Sequence, residues 1–200
     1  MTSPRTTLTG GQYAPLLQIG TIMHVARFLT SVLIAVLLIG TTGCASRHPY
    51  VPSLNRQFEP IPEFSSTNTV AILSAQTSTA EVEYGKQNYK LWVANLRDWT
   101  NAAVAMTERE LKKRGLQVSK DSERKIHLSI VGVRRVNTSA TGTETQTLMR
   151  VETGAGYTKE YIGKATTYFL SDQERQTDYS FMNAVEQLLS DQEIVGYLKK

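Results

Sequence analysis

The chain has 200 residues, with 22 Lys+Arg against 18 Asp+Glu and 40% hydrophobic residues. That length holds one domain, or one domain and a tail. A single cysteine excludes an internal disulfide framework and any multi-cysteine zinc or iron–sulfur site, and three histidines leave little for a metal cluster. In chain order, the first strong signal is Phe28 to Gly40 (FLTSVLIAVLLIG), thirteen residues without a charge. A membrane-spanning helix needs about 20 apolar residues, and extending this run backwards meets Arg27, His24 and Gln18. The run instead has the size of a signal-peptide core, with Arg27 as its positive flank.

Gly40, Thr41, Thr42, Gly43 and Cys44 follow. This order resembles a bacterial lipoprotein signal, whose lipobox is an aliphatic-small-small run ending in Cys. Thr42, Gly43 and Cys44 match its last three positions, and Thr41 stands where the box usually carries Leu. The resemblance implies that Cys44 becomes the first mature residue, bearing a thioether-linked diacylglycerol and an N-acyl chain. A thiolate is the nucleophile that such chemistry requires, and several acyl chains together make a stable anchor. The other reading of Cys44 is a buried structural cysteine after a hydrophobic helix. Ala45, rather than Asp, follows Cys44. That implies outer-membrane delivery with the domain facing the periplasm; an inner-membrane lipoprotein is the alternative. Met23 is the expected start, because MHVARFLTSVLIAVLLIGTTGC is a compact signal peptide and the 22 residues before it fit nothing well. Residues 1–43 are thus read as signal peptide. The mature chain keeps 20 bases against 18 acids, thin grounds for binding nucleic acid.

Residues 44–68 are read as the lipidated cysteine and a tether. Four of the six prolines fall there (Pro49, Pro52, Pro60 and Pro62) with no helical or alternating pattern. Phe58, Ile61 and Phe64 are candidates to dock on the domain. Residues 69–200 are read as a single domain. Thr69 to Ala75 is a strand candidate, and Gln76 to Asn88 reads as loop. Tyr89 to Arg114 reads as a helix, with Trp92, Leu96, Trp99, Ala103 and Met106 on one stripe and Gly115 at the C′ position. Leu116 to Val118 is a very short strand. Lys125 to Val136 alternates, with Ile126, Leu128, Ile130 and Gly132 on one face. Thr145 to Thr153 and Tyr157 to Leu170 are strands around a bend at Gly154-Ala155-Gly156. Asp178 is expected to cap a last helix carrying Phe181, Val185 and Leu188. Ser190-Asp191-Gln192-Glu193 has the form of a capping box, so that helix should break near Ser190. The fold class is therefore α+β: a two-layer sandwich with a mostly antiparallel sheet of three to five strands and two amphipathic helices on one face.

Catalytic material is scarce. His48 lies in the tether and His127 in a strand, and no G-x-S-x-G or H-E-x-x-H pattern appears. The Gly154-Ala155-Gly156 run precedes a strand, whereas phosphate-binding glycine loops lead into a helix. Arg109, Lys112, Lys113 and Arg114 form a basic helix end, read either as dipole complement or as contact with an anionic lipid surface; Arg134 and Arg135 admit the same two readings. TERELKKRGLQV (Thr107–Val118), KIHLSIVGV (Lys125–Val133) and AVEQLLSDQEIVGYLKK (Ala184–Lys200) resemble the YajG-like family of small bacterial outer-membrane lipoproteins, over Thr69 to Lys200. The segment Met149 to Gly163 departs from that family. The resemblance implies an architecture and an address, with no catalytic residue to carry over. No metal and no cofactor beyond the covalent lipid on Cys44 is expected. The expected function is non-enzymatic: a cell-envelope lipoprotein held to the membrane by its anchor, serving as an accessory binding or assembly module for an unidentified protein or lipid partner. The alternatives are a periplasmic hydrolase using acidic residues that the sequence does not place, and a purely structural lipoprotein.

Overall fold

The computed structural model describes residues 45–53, 58, 68–87, 89–138, 142–167 and 173–199. Cys44 and the residues read as a lipobox, Thr41, Thr42 and Gly43, lie outside them, as do Ile61, Phe64 and Phe169. The described residues form eight strands and three helices. The strands are β1 (Ser46–Pro49), β2 (Thr69–Ser74), β3 (Glu81–Gln87), β4 (Lys90–Asn95), β5 (Gln117–Val118), β6 (Lys125–Asn137), β7 (Thr143–Thr153) and β8 (Thr158–Thr167). The helices are α1 (Leu96–Lys113), α2 (Gln173–Ser190) and α3 (Gln192–Lys199). Mixed α+β architecture is what the pattern predicts.

Two sheets result, one of three strands in the order β1-β4-β3 and one of five in the order β5-β2-β6-β7-β8. The long strands β6, β7 and β8 pair antiparallel through short connections. Strand β2 pairs parallel with both β5 and β6, because the chain leaves β2, crosses through the β3–β4 hairpin and α1, and returns in the same direction. Helices α1 and α2 bury their apolar stripes on one face of the larger sheet. Trp99, Met106 and Leu111 from α1 and Phe181, Val185 and Leu188 from α2 meet Ile126, Leu128, Ile130, Met149 and Val151 from the strands in one core.

Four local readings change. Gln76 to Asn88 contains strand β3, and α1 begins at Leu96 instead of Tyr89. Trp92 is buried as predicted, but from strand β4. Asn95 ends that strand and caps the helix, its Oδ1 accepting from the Arg97 and Asp98 N–H groups at 3.1 and 3.3 Å. Helix α2 begins at Gln173, so Asp178 is an interior residue. The break after Ser190 is where the capping box places it, but Asp191 is the cap, accepting from the N–H of Glu193 and of Ile194. At the other end of α1, Gly115 takes φ 88°, donates to Lys112 O, and lets Leu116 N–H reach Leu111 O. That is a Schellman closure joining two buried leucines.

Candidate functional site

The two faces of the five-stranded sheet differ. Along β7 the residues Thr145, Thr147, Met149 and Val151 are buried under the helices, while Leu148, Arg150 and Glu152 lie on the other side. That outer side carries no helix among the described residues. A bulge in β6 shapes it: the register slips between Ile130 and Gly132, leaving Val131 as the extra residue. Beyond the bulge the faces exchange. Val133, opposite Thr147, turns inward, and Gly132 sits opposite Leu148 on the open side. The strict alternation read from the sequence places Gly132 with Ile126, Leu128 and Ile130; the bulge reverses it.

The open side holds a concavity of about 340 Å³ lined by Gly132, Val133, Arg134, Gln146, Leu148 and Ile162. Gly132 opens its floor, since a Cβ there would meet nothing within 4 Å. Ile162 stands at its edge, 42% exposed. A polar chain forms the rim: Arg134 Nε donates to Gln146 Oε1 at 2.6 Å, and Gln146 Nε2 donates to Glu144. An apolar floor with the Arg134 guanidinium and the Gln146 amide on the rim suits an apolar side chain or acyl segment with a polar end. Arg134 therefore lies at this concavity, while Arg135 on the inner side donates to Thr143 Oγ1 at 2.8 Å, burial drawing its pKa below the ordinary guanidinium value.

The basic end of α1 is arranged differently. Arg109 and Lys113 pair with the buried Glu110 at 3.1 and 3.0 Å. Arg114 is itself buried, which lowers its pKa against the opposing pull of Glu110 and Glu186. Lys112 is exposed. His127 is half-buried in β6, opposite Glu152. Gly154-Ala155-Gly156 forms the β7–β8 turn, with Gly156 at φ 83° and Gly156 N–H bonded to Thr153 O.

The segment just after Cys44 is part of the domain. Strand β1 pairs parallel with β4. His48 stacks edge-on against Trp92 with centroids 4.4 Å apart, and its Nε2 lies 3.5 Å from Glu174. The Tyr50 hydroxyl donates to Asp178 Oδ1 at 2.6 Å, and Ser53 N–H donates to the same oxygen at 2.9 Å. Burial, with that carboxylate beside it, raises the Tyr50 pKa well above the phenol range. Trp99 Nε1 donates to Tyr50 O at 2.7 Å. Phe58 also packs on the core. Docking of Phe58 is as the sequence allows, whereas strand β1 reads as tether in the sequence: its prolines disguise a four-residue strand, and the alternation of His48 and Tyr50 is the available signal.

Among the described residues, no group of three or more His, Cys, Asp or Glu is placed to hold a metal ion. Among them, no helix is long and apolar enough to cross a membrane. No family model and no curated protein matches the chain. Solved structures do. The chain is similar to the crystal structure of a Xanthomonas campestris protein of the DUF330 family, at 12% identity and a TM-score of 0.49, covering 75% of this chain and 94% of that one. It is also similar to an uncharacterized protein, at 11% identity and a TM-score of 0.31, covering 66% of this chain and 92% of that one.

Proposed function

We propose that the chain is a bacterial cell-envelope lipoprotein of YajG-like type, anchored in the outer membrane through acylated Cys44. Its domain acts without catalysis, as a binding module for an envelope protein or lipid. The anchor rests on the uncharged run Phe28 to Gly40 ending in Thr42-Gly43-Cys44. The binding role rests on the open concavity over Gly132: a grooved apolar face offers a partner surface, whereas a hydrolase would need convergent acids in a polar pocket. The covalent lipid is the one attached group this reading requires.

Two measurements test it. In Cys44→Ser the domain should fold and leave the membrane fraction; continued membrane association of that variant overturns the anchor. Crosslinking with mass spectrometry in intact cells should recover a reproducible neighbour through Lys164, which is exposed on β8 two residues beyond Ile162. Failure to recover one overturns the binding role.

A further inference from the structure

The proline-rich segment does not separate the cysteine from the domain. One residue, Ala45, lies between Cys44 and strand β1. Ser46 N–H donates to Tyr89 O at 2.7 Å, Ser46 Oγ donates to the same oxygen at 3.3 Å, and Ser46 pairs in register with Lys90. Two Cα steps of about 3.8 Å hold the Cys44 Cα within roughly 7.6 Å of the Ser46 Cα. The chain then continues into the core through His48 on Trp92 and Tyr50 on Asp178 and Trp99. Whatever is attached to Cys44 is therefore held beside the tip of the β3–β4 hairpin.

That tip has the chemistry of a headgroup layer. Residues 84–90 read YGKQNYK, with two lysines and no acid. Lys86 and Lys90 are exposed, and Tyr89 is 73% exposed. The acids of β3 lie toward its start, where Glu81 pairs with Arg47 at 2.8 Å and Glu83 is exposed. A tyrosine presents an apolar ring with a polar end, which suits the boundary between acyl chains and water. Lysines close to an anionic membrane surface are drawn to it.

We propose that Lys86, Tyr89 and Lys90 sit in the anionic phospholipid headgroups of the same bilayer that holds the Cys44 acyl chains. The domain is thereby fixed against the membrane with this hairpin leading. The inference rests on the lipid-anchor reading above.

The test uses the full-length lipidated protein in vesicles of phosphatidylethanolamine and phosphatidylglycerol. Tyr89→Cys carries an environment-sensitive fluorophore, and Asp121→Cys, in the exposed turn beyond the far end of α1, carries the same probe as reference. Circular dichroism matching the parent shows that each variant is folded. The expected result is blue-shifted emission at position 89, with quenching by headgroup spin-labelled lipid, and water-like emission at position 121. Adding Lys86→Gln and Lys90→Gln should reduce the quenching while the protein still floats with the vesicles. A protein that floats while position 89 is as water-exposed as position 121 overturns this inference and leaves the anchor standing. A parent protein that reacts with maleimide at Cys44 and fails to float overturns both.

Discussion

The two faces of the five-stranded sheet are built from the same strands and ask opposite things of their residues. The covered face meets α1 and α2 with Ile126, Leu128, Ile130, Met149 and Val151, all essentially without solvent contact. The open face carries the Arg150–Glu160 ion pair at 2.6 Å, 42%-exposed Ile162 and the concavity over Gly132. Burial of each large side chain on the covered face contributes about 1.5–3 kcal/mol, whereas an exposed ion pair such as Arg150–Glu160 contributes about 1 kcal/mol or less. The covered face thus holds the fold together, and the open face is free to be shaped for something else. Substitutions on the two faces should separate stability from binding.

The largest effect is expected at Gly163. It lies between Tyr161 and Ala165 on β8, where α2 crosses closest. A Cβ there would stand 1.9 Å from Ser180 O and 2.4 Å from Ala184 N, both backbone atoms of the helix that cannot rotate away. Gly163→Ala must lift α2 off the sheet, and its cost should exceed the ~1–3 kcal/mol usual for an overpacked core. Thermal and denaturant unfolding measure this; a near-native midpoint would show that α2 is not seated as described.

Next comes the polar half of the same contact. The first turns of α2 sit on β7 and β8 through hydrogen bonds: Gln176 Nε2 donates to Thr143 O of β7 at 2.6 Å and to Ala165 O of β8 at 2.8 Å, and the Thr147 and Ser180 hydroxyls meet at 2.9 Å. Both hydroxyl residues are fully buried. Ser180→Ala leaves the Thr147 hydroxyl without that partner and should destabilise by about 1–3 kcal/mol. Adding Thr147→Val removes the second polar group and should restore most of the loss, since deleting both partners can be nearly neutral. Denaturant unfolding of the two singles and the double closes the cycle. An additive double mutant would mean the pair is not coupled.

Asp191 acts on the helix side, where Lys159 stands opposite Val151. It caps α3 and pairs with half-exposed Lys159 of β8. Burial pushes its pKa up, but Lys159, the Tyr161 hydroxyl and two backbone N–H groups outweigh this and leave it below its ordinary value. The folded pKa is therefore lower than the unfolded one. Its stabilisation is complete above the ordinary carboxylate pKa of about 4 and is lost as pH falls through the folded value. Asp191→Ala should cost about 1 kcal/mol, the usual worth of an N-cap, and should flatten the acid limb of stability against pH. An unchanged acid limb would remove Asp191 from that role.

Periodicity made the covered face readable and left the open face obscure. Phe181, Val185 and Leu188 show the helical stripe, Met149 and Val151 the strand alternation, and Gly115 the helix end; each signal is local, and each is what the structure contains. Trp92 and Leu96 misled because their spacing of four fits a helix, although a strand ends and a helix begins between them. Asp178 misled because a short acidic side chain before an apolar stripe looks like a cap, while its partners, Tyr50 and Ser53, lie 128 and 125 residues away. The concavity was invisible for the same reason. It depends on the bulge at Val131, which brings Gly132 opposite Leu148, and a bulge leaves no mark in a run of β-branched and small residues.

The smallest expected change in stability is also the sharpest test of the division between faces. Gly132 has open space where a Cβ would stand, and its backbone is not in the left-handed region that favours glycine. Gly132→Val should therefore fold at least as well as the parent, and the gain in strand preference and chain stiffness should add about 0.5–1 kcal/mol. The same side chain fills the floor of the concavity between Leu148 and Ile162. If the open face binds a partner, this variant should keep its unfolding midpoint or raise it and lose the crosslinks made through Lys164. If the crosslinks persist unchanged, the partner sits elsewhere on the domain, and the open face is only the solvent side of the sheet.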